Sequence, residues 1–205
     1  MILLFDLDHV LLDIERFKKD KSEIFGLTKE ENERQGYELF KKHGVGYNPY
    51  KHIKFLKESG HIKTDEEEKY ITEKFQEIVK NTDDYLFSGA EDTLAYLKNK
   101  GYKMILMTFG DPQMQQPKID SSCIKKYFEK IICEEKDKTQ NDFLKELANS
   151  NEEVLIINDR ADQSLAMQKA IGENAKIFLV KGPYSKDAEH SEKIHKSIAE
   201  LKNIL

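Results

Sequence analysis

Residues 1–8 read MILLFDLD, five apolar side chains in a row that run into Asp6-Leu7-Asp8. The stretch 2–7 has the composition of a strand buried on both faces: short, apolar, with an acid only near its end. Four later runs repeat that form: 103–108 (KMILMT), 130–133 (KIIC), 154–158 (VLIIN) and 176–180 (KIFLV). Helical stretches separate them. Ser88-Gly-Ala-Glu91 reads as a capping box opening a helix that Gly101 stops, with Leu94 and Leu97 on one face. Further helices are predicted over 139–147, 162–171 and 187–201. From residue 86 onward strand and helix alternate, which predicts an open parallel α/β sheet with right-handed crossovers.

The stretch 14–85 breaks the alternation. It offers helices near 14–25, 29–43, 49–59 and 64–80, and no convincing buried strand. Thr28-x-x-Glu31 and Thr64-x-x-Glu67 are capping boxes, and Tyr70, Ile71, Phe75, Ile78 and Val79 form a helical stripe. Gly44 to Pro49 reads as a loop. The expected organisation is an α/β core over 1–13 and 86–205, interrupted by a helical insertion over 14–85.

Composition bounds the function. At 205 residues the chain suits one domain, or one carrying an insertion. Hydrophobic residues make up 39%, too many for a disordered chain. Lys and Arg number 33 against 38 Asp and Glu, a net charge of −5, which disfavours a nucleic-acid polymer as partner. No run approaches the ~20 apolar residues of a membrane helix. The N-terminus lacks the basic start and uninterrupted apolar stretch of a signal peptide, so the cytoplasm is the expected location. Cys123 and Cys133 are too few for a disulfide scaffold or structural zinc.

Four places could carry chemistry, each at the carboxyl end of a predicted strand, where open α/β sheets bind ligands. Asp6 and Asp8 follow the first strand. Thr108-Phe109-Gly110-Asp111 follows the second, offering a hydroxyl and turn N–H groups to an anion. Lys136 and Lys138 follow the third and could neutralise a carboxylate and a phosphate. Asp159 and Asp162 follow the fourth, where an acid could share a hard cation with Asp6. Taken singly, each has a plainer account: solvated strand-end acids, a simple turn, surface lysines, a helix cap. Together they require four coincidences at equivalent places. The histidines make no such set. His43, His52 and His61, and the pair His190 and His195, lack metal-ligand spacing and read as surface or packing residues, while His9 could touch a ligand or support its loop.

In this order the motifs resemble the haloacid dehalogenase (HAD) superfamily. FDLDHVLLD resembles its first motif, MILMTFG its second, Lys138 (with Lys136 as rival) its third-motif lysine and VLIINDRAD its acidic fourth. The resemblance implies a HAD-like, Rossmannoid three-layer fold with a small helical cap inserted after the first motif. It also implies a Mg²⁺-dependent phosphohydrolase acting on a small phosphorylated metabolite. Asp6 would be the nucleophile that forms an aspartyl-phosphate, and Asp8 the acid and base, with its pKa raised. Thr108, Phe109, Gly110 and Lys138 would hold the phosphoryl group. Asp6, the Asp8 carbonyl and Asp159 would hold Mg²⁺. The fourth motif departs from the family: Gln163 and Ser164 stand where a second acid is usual, and the role of Asp162 is open. An acid at position 8 favours phosphate over halide as leaving chemistry, since an ester oxygen needs a proton. Two rivals stand beside this reading. One is a non-catalytic HAD-like binding or regulatory protein. The other is a receiver domain, from which the insertion after the first strand departs.

Overall fold

The computed structural model describes residues 1–135, 138–185 and 194–205, with the side chain of Lys138 excepted. Six parallel strands form one sheet: β1 (Ile2–Phe5), β2 (Lys103–Phe109), β3 (Lys130–Glu134), β4 (Val154–Asn158), β5 (Ala175–Val180) and β6 (Ile194–His195), in the order β3-β2-β1-β4-β5-β6. The chain therefore begins in the middle, builds outward through β2 and β3, and returns to the other side of β1 with β4. That reversal creates a crevice at the carboxyl ends of β1 and its neighbours. Register fixes what meets there: Phe5 pairs with Leu106 and with Ile157, and Asp6 N–H donates to Ile157 O at 2.9 Å.

β1 is apolar because both of its faces are covered. Leu3 and Phe5 join one buried cluster, Ile2 and Leu4 a second on the opposite face. The first cluster extends into the insertion through Phe17, Phe25, Ile53, Leu56 and Phe75. The insertion consists of α1 (Ile14–Ile24), α2 (Lys29–Leu39), α3 (Pro49–Glu58) and α4 (Asp65–Lys80). The chain after the insertion supplies α5 (Ala90–Asn99), α6 (Pro112–Asp120), α7 (Asp142–Ala148) and α8 (Ala161–Ile171). After β1 the chain folds back tightly, with Leu11 and Leu12 N–H groups both donating to Leu7 O. Entry to and exit from the insertion then run side by side: Asp13 N–H donates to Tyr85 O at 2.8 Å and Phe87 N–H to Leu11 O at 2.9 Å.

Several local expectations change. The capping box at Ser88 does not form. Gly89 is the N-cap of α5, at φ 78°, and no side chain caps it. Glu91 instead accepts from Lys126 Nζ at 3.0 Å and Tyr127 Oη at 3.1 Å. The box at Thr28 closes in both directions with Glu31. At Thr64 only half of it forms: Thr64 accepts from Glu67 N–H, but the Glu67 carboxylate takes the Lys63 N–H. The helix predicted over 139–147 starts at Asp142, capped by Asn141. Of the helix predicted over 187–201, residues 187–193 lie outside the described residues. The remainder forms β6 and a 3₁₀ turn over Ile198–Asn203. Tyr70, assigned to the stripe of α4, is exposed, while Ile71, Phe75 and Val79 are buried. Helix α6 has no counterpart in the sequence reading, because Pro112 and Pro117 obscure it.

These caps make a simple contrast. Thr28→Ala is expected to cost about 1 kcal/mol of folding stability, in the usual range for a lost N-cap. Ser88→Ala is expected to change stability by less than about 0.5 kcal/mol, as a surface substitution does. Urea unfolding of both variants checks the pair.

Candidate active site

One cavity of about 690 Å³ lies between the sheet crevice and the insertion. Asp6, Asp8, Thr108, Phe109, Gly110 and Asp159 all line it. Asp6 follows β1 directly and Asp159 follows β4, so strand pairing carries both carboxylates to the same rim. Lys136 and the Lys138 side chain lie outside the described residues.

The cation that meets Asp8 here is Lys118. Its ammonium sits 3.0 Å from Asp8 Oδ1, on a side chain only 1% exposed. Gln115, one turn earlier on α6, donates through Nε2 to Asp8 Oδ2 at 3.2 Å and to Phe109 O at 2.9 Å. Burial, the largest influence, pushes the Asp8 carboxyl up in pKa. The charge and hydrogen bond of Lys118, then Gln115 and His9, outweigh it, and Asp8 lies below its usual value. The expected rise is thus reversed, and Asp8 is held as a carboxylate. Neither Lys118 nor Gln115 was legible as a site residue, since the helix that points them inward was not.

The loop after β2 is drawn tight. Thr108 is 1% exposed. Gly110 N–H donates to Glu134 O at 2.8 Å and is thereby engaged with the end of β3. Gly110 has φ 148°, and a Cβ there would stand 2.7 Å from Gln115 Nε2, so glycine leaves the space in which Gln115 reaches Asp8. The insertion closes on this loop. A Cβ at Gly46 would stand 2.2 Å from Asp111 N. Asn48, the N-cap of α3, donates through Nδ2 to Asp111 Oδ2 at 2.9 Å and to Gln113 Oε1 at 2.8 Å. Asp111 is itself the N-cap of α6. Two helix caps, one from the insertion and one from the sheet side, therefore hold each other.

Beyond β4, Asn158 Oδ1 accepts from Arg160 N–H. Asp162 pairs with Arg160, whose Nη2 lies 2.7 Å from Asp162 Oδ2. It is exposed and does not line the cavity. Gln163 lines the cavity, while Ser164 is buried and donates back to Arg160 O. The turn at Gly182 packs against Asp159: a Cβ on Gly182 would lie 2.5 Å from Asp159 Oδ2 and 2.7 Å from its Cβ. His9 sits in the left-handed region at φ 62°, buried at the cavity wall, with its ring edge-on to Tyr184. His52 is wholly buried among aromatic rings, in keeping with a packing role.

The donor set suits a hard cation. Asp6 and Asp159 offer carboxylate oxygens to one cavity. Among the described residues no three acidic, His or Cys side chains converge closely enough to cage a metal alone. Mg²⁺ is bound in that fashion, by one or two carboxylates completed by phosphate oxygens and water.

Comparison with known proteins agrees with this geometry. Residues 1–172 match the family described as haloacid dehalogenase-like hydrolase. The chain belongs to that family. Its fold is shared with a haloacid dehalogenase-like hydrolase from Burkholderia xenovorans LB400 (TM-score 0.75, 16% identity, 99% of this chain and 95% of that one). It is also shared with the HAD-hydrolase YfnB from Bacillus subtilis, described as bound to magnesium (TM-score 0.61, 17% identity, 100% and 97% covered). A third likeness is to L-2-haloacid dehalogenase from Xanthobacter autotrophicus with chloropropionic acid covalently bound (TM-score 0.65, 12% identity, 99% and 97% covered). At such identities the likeness establishes the fold. No curated protein matches the sequence. Among the described residues no helix is long and apolar enough to cross a membrane.

The Asp8–Lys118 pair can be tested directly. Lys118→Met removes the charge that opposes burial, so the Asp8 carboxyl pKa is expected to rise. A ¹³C NMR pH titration of the carboxyl carbon, with the wild type alongside, reads the shift directly.

Proposed function

We propose that this hydrolase cleaves small phosphate monoesters with Mg²⁺, through an aspartyl-phosphate on Asp6. The observation that carries the reading is the convergence of Asp6, Asp8, Thr108, Lys118 and Asp159 on one cavity at the crevice. Asp6, directly after β1 at the crevice, attacks phosphorus and replaces one difficult displacement with two easier ones. The Thr108 hydroxyl donates to an equatorial phosphoryl oxygen. Lys118 offsets the charge of carboxylate and phosphate, the task the family resemblance assigns to Lys138.

Asp8 is the acid and base. Lys118 and Gln115 hold its carboxyl below the usual value, which favours the carboxylate, the form that removes a proton from the water attacking the intermediate. Donating to the leaving oxygen requires the protonated form. A phosphate dianion arriving beside Asp8 is a like charge and draws on the same Lys118, and both effects raise the carboxyl pKa. Mg²⁺, when held by Asp6, Asp159 and the Asp8 carbonyl, supplies charge neutralisation for the phosphoryl oxygens. Asp8 also separates this reading from dehalogenation, in which the departing halide takes no proton. Fold relatives described as phosphatases are consistent with the ester reading. The helical insertion, as a cap over residues 14–85, keeps water out and contacts the substrate.

With p-nitrophenyl phosphate as substrate, EDTA is expected to abolish turnover and added Mg²⁺ to restore it. Asp6→Asn should lower kcat by about a thousandfold or more, the scale of a lost nucleophile. Turnover that survives Asp6→Asn overturns the mechanism. Gly182→Ala is expected to displace the Asp159 carboxylate and lower Mg²⁺-dependent kcat/KM by about tenfold or more, as loss of support behind a metal ligand does.

A further inference from the structure

Helix α1 turns one face to the cavity through Ile14, Phe17, Lys18 and Lys21. The spacing i, i+3, i+4, i+7 is that of a buried helical stripe, where apolar side chains belong. Ile14 and Phe17 obey the rule. Lys21 breaks it, since it is only 5% exposed. A local rule broken at a buried position calls for a compensating gain.

No carboxylate supplies that gain. Lys18 has Glu15 at 2.8 Å and Lys118 has Asp8, but among the described residues no ion pair or hydrogen bond is found for the Lys21 ammonium. Its ammonium lies over the Tyr47 ring at 3.7 Å and the Phe25 ring at 5.8 Å. Tyr47 is fixed in turn: its hydroxyl meets His52 Nδ1 at 2.8 Å, and His52 Nε2 meets Gln35 Oε1 at 2.7 Å. The ring that positions the lysine is thus held by a part-buried chain of polar contacts. Burial, with the charges of Lys18 and Lys118, lowers the Lys21 amine to about 7. Both of these neighbouring charges are cations. Asn32 of α2 lines the same cavity, 3% exposed; its Nδ2 is a donor that an anion can use, while its Oδ1, unpartnered among the described residues, is an acceptor and holds no anion. The acids nearby are engaged elsewhere: Glu15 with Lys18 and Lys29, and Glu33 with Lys29.

We propose that the insertion side of the cavity is a second anion subsite, in which Lys21, with the Asn32 Nδ2 as a further donor lining the same cavity, binds a carboxylate or phosphate at the end of the substrate remote from the scissile ester. This rests on the phosphohydrolase reading and narrows it to doubly anionic monoesters. Lys21 determines specificity and touches no reacting atom.

Three esters test it. Phosphoglycolate carries a carboxylate where ethyl phosphate carries a methyl group, and ethylene glycol bisphosphate carries a second phosphate. Wild-type kcat/KM is expected to be about tenfold or more higher for at least one doubly anionic ester than for ethyl phosphate, the scale of one hydrogen bond to a charged group. The favoured ester identifies the second anion. Lys21→Met should reduce that ratio to about one with ethyl phosphate turnover little changed, and Lys21→Arg should restore part of it. Equal losses on all three esters would mean that Lys21 serves the transferring phosphoryl group or the fold, and the subsite is overturned. Absence of any preference in the wild type overturns it without a variant. If no ester is hydrolysed, the phosphohydrolase reading fails on its own. Calorimetric binding of phosphonoacetate against ethylphosphonate then decides the subsite separately: tighter binding of phosphonoacetate that Lys21→Met removes supports it, and equal binding rejects it.

Discussion

Like charges brought together at the rim of a parallel sheet must be held by something. Asp6 and Asp8 leave β1 two residues apart, and Asp159 arrives from the adjacent β4. Their mutual repulsion, with the cost of burying Asp159, sets the problem the surrounding structure solves. Lys118 is one answer. A buried ammonium needs a carboxylate as much as the carboxylate needs it, so the pair fixes α6 against the end of β1. Gln115 takes the second oxygen of Asp8 and ties it to the last carbonyl of β2. The axis of α6 is set in turn by its cap, Asp111, which Asn48 of the insertion holds. One connected series of polar contacts thus runs from the insertion to Asp8, and the reactive carboxylate and the helices above it cannot be positioned independently.

The sheet was legible because its signal is local. Five apolar runs, each ending where a polar residue emerges, marked five strands to within a residue or two, and the acids and Thr108 at their ends were found by position alone. β6 was not legible: two residues, Ile194 and His195, carry no periodicity. α6 was hidden for a different reason. Its prolines at 112 and 117 weaken every propensity argument, and the helix forms through the Asp111 cap and tertiary contact. Missing that helix meant missing Lys118 and Gln115, whose meaning lies in a contact more than a hundred residues away in sequence. The sign of the Asp8 shift failed with them. Ser88 failed because the box pattern matched but Glu91 found better partners in Lys126 and Tyr127. Lys21 and Gly182 were invisible for a related reason: a lysine in a charged helix and a glycine in a turn look ordinary until their neighbours are known.

The paired segments at Leu11–Asp13 and Tyr85–Phe87 carry a consequence for how such a chain can change. To the rest of the polypeptide everything between them is equivalent to a hairpin, because its two ends are hydrogen-bonded neighbours. Lengthening, shortening or rewriting the intervening helices leaves the span between β1 and α5 untouched, and the entropy of closing a longer excursion grows only slowly with its length. The lysine and asparagine that face the cavity from above are therefore free to diverge, while the oxygens below stay fixed by strand register: one scaffold, many selectivities.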